Sequence, residues 1–275
     1  MSFVEDALKF HAEHNGMLAV ASKVPLNNRE DLALAYTPGV AEPCKAIKEN
    51  KELSFEYTCR GNTVAIVSDG TRVLGLGDIG PEAAMPVMEG KAVLFKTFGD
   101  VDAIPICIDT KDPEEIIETV RRLQPTFAGI NLEDFSSPKC YEIEDRLREI
   151  CDIPVFHDDQ HGTAIACLSA VMGALRYVKK DIKDVKVVVN GCGAAGSAIG
   201  RLFVSMGFPN VIMVERVGAL YKALMPSWIK FSVTFRKLPT EHGKGHAGRC
   251  CQRRGYFSRR IRPEPVYQRN YCQYG

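Results

Sequence analysis

The chain has 275 residues, of which 45% are apolar and 25% charged, with 23 Gly and 15 Pro, which excludes the disordered, collagenous and coiled-coil classes. No apolar run approaches the ~20 residues of a membrane span, and the N-terminus lacks the apolar stretch of a signal peptide; a cytoplasmic protein without a membrane partner is expected. The formal charge of +1 hides a split, because residues 226–275 hold 11 of the 35 Lys+Arg and two of the 34 Asp+Glu, which gives +9 there and −8 in the remainder.

Val4, Leu8 and Phe10 recur at helical spacing, so the first thirty residues read as helix, with a polar, Pro-containing stretch at 25–28. Short β-branched runs follow at 63–68, 103–108, 127–131 and 154–156. Helical patterns lie between or after them at 113–123, behind the Asp112 cap signal, and at 141–150. A long helix is expected over 163–178, then a charged linker at 179–183. A second unit follows, with a strand at 185–190, a Gly-rich turn, a helix at 195–206 and a strand at 211–214. Alternation of this kind predicts an α/β fold whose mostly parallel sheet is covered on both faces. From about Ala223 the apolar periodicity fades and Arg pairs accumulate, at Arg253-Arg254 and Arg259-Arg260.

Ten cysteines without an export signal argue against a disulfide framework. Most read as small buried hydrophobes. Cys250, Cys251 and Cys272 share the basic tail with His242 and His246, in a spacing that fits no common zinc pattern. A basic tail also raises a nucleic-acid-binding reading.

The segment Val187-Val188-Val189-Asn190-Gly191-Cys192-Gly193-Ala194-Ala195-Gly196 is an apolar strand running into G-x-G-x-x-G and a helix. Gly191 permits the tight turn, Gly193 lets backbone approach a pyrophosphate, and Gly196 lets the helix pack on the strand. Free N–H groups and the positive dipole end at Ala194 and Ala195 then face the diphosphate. Glu215 ends the next strand, where a carboxylate accepts hydrogen bonds from the adenosine ribose and disfavours a 2′-phosphate. NAD is therefore expected, with Arg216 keeping NADP open.

Glu133 and Asp134 stand at the carboxyl end of one strand run. A second run ends in His157-Asp158-Asp159-Gln160-His161-Gly162-Thr163. Ligands bind at that edge of open α/β sheets, and acids converging there call for a hard divalent cation, Mg²⁺ or Mn²⁺. The competing reading is that Asp158 or Asp159 caps the helix near Thr163. His157 and His161 read as supporting or packing groups rather than zinc ligands. Arg72 lies in a Gly-dense loop suited to a small anion and can take a carboxylate bidentately. Lys91 opens an apolar segment, where a lysine either loses its proton and serves as a base or snorkels to the surface.

These motifs resemble those of the malic enzymes. The resemblance rests on Tyr36-Thr37-Pro38-Gly39-Val40-Ala41, Ser68-Asp69-Gly70 with Gly75-Leu76-Gly77-Asp78, Glu89-Gly90-Lys91, Asn131-Leu132-Glu133-Asp134-Phe135 and the segment from His157 to Ala164. It extends from the N-terminus to about Lys222 and is closest to the compact bacterial type. It implies a parallel-sheet, malic-enzyme-type substrate- and metal-binding domain at 1–160, the start of a Rossmann-type NAD(P) domain at 161–222, and a disordered basic tail at 223–275. The implied reaction is oxidative decarboxylation of L-malate to pyruvate and CO₂ with NAD(P)⁺ and Mg²⁺ or Mn²⁺, by a homodimer that binds no nucleic acid. In the implied roles Glu133, Asp134 and Asp159 hold the metal and Lys91 is the general base. Tyr36 protonates C3, Asp158 tunes Lys91 and Arg72 holds a malate carboxylate. The readings beside it are a malolactic-type enzyme that releases lactate and a non-catalytic homologue. The family's later βα units are not recognised after Lys222, and a frameshift is the expected origin of the tail. Codons for 240–274 read one nucleotide later yield, with permitted choices, an acidic amphipathic stretch, a strand and the family's G-V-S-A-P-N segment. Turnover by a chain interrupted in this way is expected to be low or absent.

Overall fold

The computed structural model describes residues 2–215 and 218–219; Arg216 and the basic tail expected at 223–275 lie outside the described residues. Two units divide the chain, the first made of residues 2–73, 78–135 and 145–156 and the second of the remainder.

The first unit opens with three helices, α1 (Phe3–His14), α2 (Arg29–Ala35) and α3 (Ala41–Glu49). Ser2 and Glu5 form a capping box that starts α1, and Asn15 in the left-handed region ends it. The helix expected over the first thirty residues therefore stops at His14. Gly16 (φ 97°) directly follows the cap, and residues 18–22 are not helical. A short α4 (Ser54–Tyr57) leads into a four-stranded sheet of β1 (Thr63–Ser68), β2 (Asp102–Cys107), β3 (Gly129–Leu132) and β4 (Val155–His157). Strand order is β2-β1-β3-β4, and β1 runs parallel to both β2 and β3. Such pairing needs helical crossovers, supplied by α5 (Pro81–Gly99) and α6 (Pro113–Leu123). Ala84, Met88 and Ala92 repeat every four residues along α5 and pack with Ile66, Val73 and Ala103. On α6 the buried stripe is Ile116, Ile117 and Val120.

The helix α7 (Lys139–Ile150) precedes β4, and α8 (Asp158–Val178) follows it at once. The second unit continues with β5 (Val187–Asn190), α9 (Ala194–Ser205), β6 (Val211–Glu215) and β7 (Gly218–Ala219). β5 and β6 are parallel, and β7 returns antiparallel to β6. Leu175 of α8, Val189, Phe203, Phe208, Val211 and Met213 form its core. The α/β class and parallel pairing match the sequence expectation.

Burial decides the cysteine chemistry. The Cys140 thiol is pushed up to about 12 and the Cys192 thiol up to about 11, in both cases first by burial. Cys44 and Cys59 are exposed. Iodoacetamide at pH 8 is therefore expected to alkylate Cys44 and Cys59 in the native chain and to leave Cys140 and Cys192 unmodified until denaturant is added. Peptide mass spectrometry reads this directly, and equal native labelling of Cys192 would contradict it.

Candidate functional site

β3 runs through four buried residues and delivers Glu133 and Asp134 at its carboxyl end. The Glu133 N–H donates to the Val67 carbonyl at 2.9 Å, so the sheet ladder itself sets where this carboxylate begins. Glu133 is 5% exposed, and both of its oxygens are engaged. Oε1 lies 3.0 Å from Lys91 Nζ, and Oε2 accepts from Asn131 Nδ2 at 2.8 Å. Lys91 sits in the middle of α5. The sequence reading placed it at a helix start because Pro86 and Gly90 interrupt the pattern. Asp134 is buried and has φ 58°, a left-handed conformation that Asp tolerates better than most residues. Its carbonyl accepts the Arg72 N–H at 3.0 Å, which ties the Gly-dense loop to the strand end.

Within that loop Asp69 accepts both the backbone N–H and the hydroxyl of Thr71, at 3.0 and 2.6 Å. Gly70 has φ 67°, and a Cβ there would stand 2.1 Å from the Gly80 carbonyl oxygen, so the close chain crossing requires glycine. Arg72 is partly buried at this edge. Tyr36 is the C-terminal cap of α2. It is 68% exposed, with no side-chain hydrogen bond among the described residues.

In the second unit α8 begins at Asp158, five residues before the expected start. Asp158 and Asp159 occupy its first turn, where carboxylates complement the helix dipole. Both are partly buried. A Cβ on Gly162 would stand 2.2 Å from Asp158 Oδ1, so that carboxylate folds back along the helix over a glycine. His157 is fully buried, and neither ring nitrogen has a hydrogen-bond partner among the described residues. Burial holds its imidazole below the usual range, hence neutral. His161 Nε2 lies 2.6 Å from Glu144 Oε1.

The Gly-rich turn has the expected form. Gly191 takes φ 97° between β5 and α9, and Ala194 and Ala195 open α9. Gly193 is exposed with nothing near its missing Cβ, whereas a Cβ on Gly196 would stand 1.9 Å from the Gly191 carbonyl oxygen. Glu215 does something the spacing did not reveal: its Oε2 accepts the Cys192 N–H of the turn at 3.0 Å.

Residues 15–148 match the model of the malic enzyme N-terminal domain. The bifunctional malic/malolactic enzyme of Bacillus subtilis is 54% identical over 222 residues, 81% of this chain and 54% of that protein. The NAD-dependent malic enzyme of Geobacillus stearothermophilus is 56% identical over 207 residues, 75% of this chain and 43% of that one. The chain belongs to the malic enzyme family. Among solved structures, the NAD-dependent malic enzyme of Thermotoga maritima superposes with a TM-score of 0.76 at 52% identity, over 79% of this chain and 58% of that one. Relatives include both NAD- and NADP-dependent malic enzymes. The chain spans about half the length of the first two relatives, 54% and 43%.

Within this malic-enzyme chain the first unit brings Glu133, Asp134, Arg72 and Lys91 to one sheet edge. Asn131 escaped assignment although it holds Glu133. Its signal was its place two residues before that acid, on the same face of a strand. The donor set suits a hard cation: two buried carboxylates at one strand end, with oxygen atoms and no thiolate.

Proposed function

We propose that the chain carries the substrate and cation domain (1–160) and the opening of the dinucleotide domain (161–222) of an enzyme that oxidatively decarboxylates L-malate to pyruvate and CO₂. The observation that carries this reading is the pair of partly buried Lys91 and buried Glu133, 3.0 Å apart at the carboxyl end of a parallel strand. A lysine beside a buried carboxylate supports the pairing of a proton acceptor with a cation ligand in this family of malate enzymes. Glu133, Asp134 and Asp159 hold Mg²⁺ or Mn²⁺. Gly191, Gly193, Ala194, Ala195, Gly196 and Glu215 hold the dinucleotide, with NAD the expected form and NADP the variant.

When bound, the cation supplies Lewis-acid polarisation of the substrate oxygen, and the dinucleotide accepts the hydride. The chain's residues do the remainder. Arg72 fixes a malate carboxylate through its planar fork. Lys91, in its neutral form, takes the C2 hydroxyl proton as hydride leaves, and Asp158 tunes that transfer. After CO₂ departs, Tyr36 returns a proton to C3. Apolar side chains exposed on α1 and α2, among them Phe3 (87%), Leu8 (70%) and Leu34 (72%), support a homodimer that covers them.

Malate-dependent appearance of reduced cofactor with Mn²⁺ tests the reading. Whatever turnover the chain retains is expected to fall about 10²- to 10⁴-fold in Lys91→Ala, and equal, measurable rates in the two proteins would defeat it. Product analysis separates pyruvate from the lactate of a malolactic reaction, an activity named for the Bacillus subtilis relative.

A further inference from the structure

Within the second unit, residues of three helices meet through one glutamine. Gln160, 1% exposed, follows directly on Asp159 in the first turn of α8. Its Nε2 donates to Glu144 Oε2 of α7 at 2.8 Å, and its Oε1 accepts from Arg201 Nη2 of α9 at 2.8 Å. Glu144, 3% exposed, takes His161 Nε2 on its other oxygen at 2.6 Å. Arg201 also lies over the Tyr141 ring, 5.8 Å from its centroid. A buried carboxylate and a partly buried guanidinium are thus joined through a neutral amide, with both ends of that amide used.

The residue type is demanding. The position must offer a donor to a carboxylate and an acceptor to a guanidinium at the same time. Glutamate would repel Glu144, lysine would repel Arg201, and a hydrocarbon would strand both charges. Arg201 lies five residues beyond Gly196, on the helix whose N-terminus opens the Gly-rich turn. Asp159 precedes Gln160 on the turn proposed to hold the cation. Beside the apolar packing of α8 on α9, Gln160 therefore adds the polar link from the Asp159 turn to the dinucleotide helix.

We propose that Gln160 is a positioning residue: by bonding Arg201 and Glu144 together, it fixes the Asp159 turn to the dinucleotide helix, so that cation binding and dinucleotide binding reinforce each other. This rests on the cation and dinucleotide sites of the proposed function. The physical origin is a shared ordering cost. Whichever ligand binds first immobilises α8 and α9 together, and the second meets a turn already ordered. Reciprocity then requires Mn²⁺ to tighten NAD⁺ by the same factor as NAD⁺ tightens Mn²⁺.

The test titrates Mn²⁺ into the full chain with and without saturating NAD⁺, with free Mn²⁺ read by electron paramagnetic resonance, and repeats the reverse titration by calorimetry. The wild-type chain is expected to show about tenfold coupling. Gln160→Met, close in shape and without the amide, should fold with the same helical circular dichroism and lose the coupling. Should that variant fail to fold, Arg201→Met decides instead, because it removes one bond at a partly buried position; Arg201→Lys, which keeps the charge and a donor, should recover most of the coupling. In the double variant Gln160→Met with Arg201→Met, no further loss is expected, as for groups that act as one unit. Unchanged coupling in folded Gln160→Met and Arg201→Met overturns this inference alone. So does a wild-type chain that binds both ligands independently. A wild-type chain that binds neither Mn²⁺ nor NAD⁺ overturns the proposed function and this inference with it.

Discussion

Glu133→Gln is expected to weaken Mn²⁺ binding by about 100-fold or more and to destabilise the cation-free chain by about 1–3 kcal/mol. Both effects come from one geometry. The carboxylate sits 5% exposed between two donors, Lys91 Nζ at 3.0 Å and Asn131 Nδ2 at 2.8 Å. An amide has one acceptor oxygen, so its NH₂ must face Lys91 or Asn131, donor against donor, in a buried place. Lys91→Met separates the roles. It removes a positive charge that competes with the cation for Glu133, so Mn²⁺ binds as tightly or tighter while malate turnover collapses. Calorimetric Mn²⁺ titrations and thermal unfolding of the two variants make the comparison. A Glu133→Gln chain with wild-type Mn²⁺ affinity would remove Glu133 from the cation site.

The second large effect concerns the Gly-rich turn, where two glycines are expected to fail in different ways. A Cβ at position 196 stands 1.9 Å from the Gly191 carbonyl oxygen and 2.9 Å from its carbon, both backbone atoms that cannot swing aside. Gly196→Ala must therefore push α9 off β5, with a cost of about 3 kcal/mol in unfolding free energy and a parallel loss of NAD⁺ affinity. At position 193 nothing lies within 4 Å of a built Cβ and φ is −68°, so Gly193→Ala is expected to unfold at the wild-type denaturant midpoint. Its NAD⁺ affinity should still drop about tenfold or more, because the side chain occupies the space through which a pyrophosphate approaches the backbone. Urea unfolding and NAD⁺ titration of the pair decide the matter. A Gly193→Ala chain that binds NAD⁺ normally would show that this turn does not cradle the diphosphate.

The sheet and its crossovers were largely legible. Both ends of β1 and of α6 agree with the sequence expectation, because a run rich in β-branched residues and an Asp-Pro start leave little competition. The other expected strands fall within two residues of theirs, and β7 had no counterpart in the sequence expectation. α5 was harder to see, since Pro86 and Gly90 lie inside it and only tertiary packing of Ala84, Met88 and Ala92 outweighs them. α8 starts earlier than expected because two acids that look like caps are themselves helical. Among site residues, Glu133, Asp134 and the three glycines announced themselves through strand-end placement and spacing. Arg72 could be read as a carboxylate binder from its loop, whereas Tyr36 drew its role, and Lys91 the choice between base and surface lysine, only from the family resemblance. The contacts among Glu144, Gln160 and Arg201 could not be read at all. They join three separate helices across 16 and 41 residues of sequence, and no periodicity encodes such a meeting.

The bond from the Cys192 N–H to Glu215 changes what a cofactor-switching experiment must do. A designer who wishes this turn to accept a 2′-phosphate would replace Glu215 by a neutral or basic residue. That exchange also deletes the acceptor that holds the turn's own backbone at 3.0 Å. With the dinucleotide site proposed above, specificity and loop rigidity fall to one carboxylate, so a single substitution loosens the turn while trying to retune it. A successful redesign therefore has to change two positions together, one for the phosphate and one that gives the Cys192 amide a new oxygen.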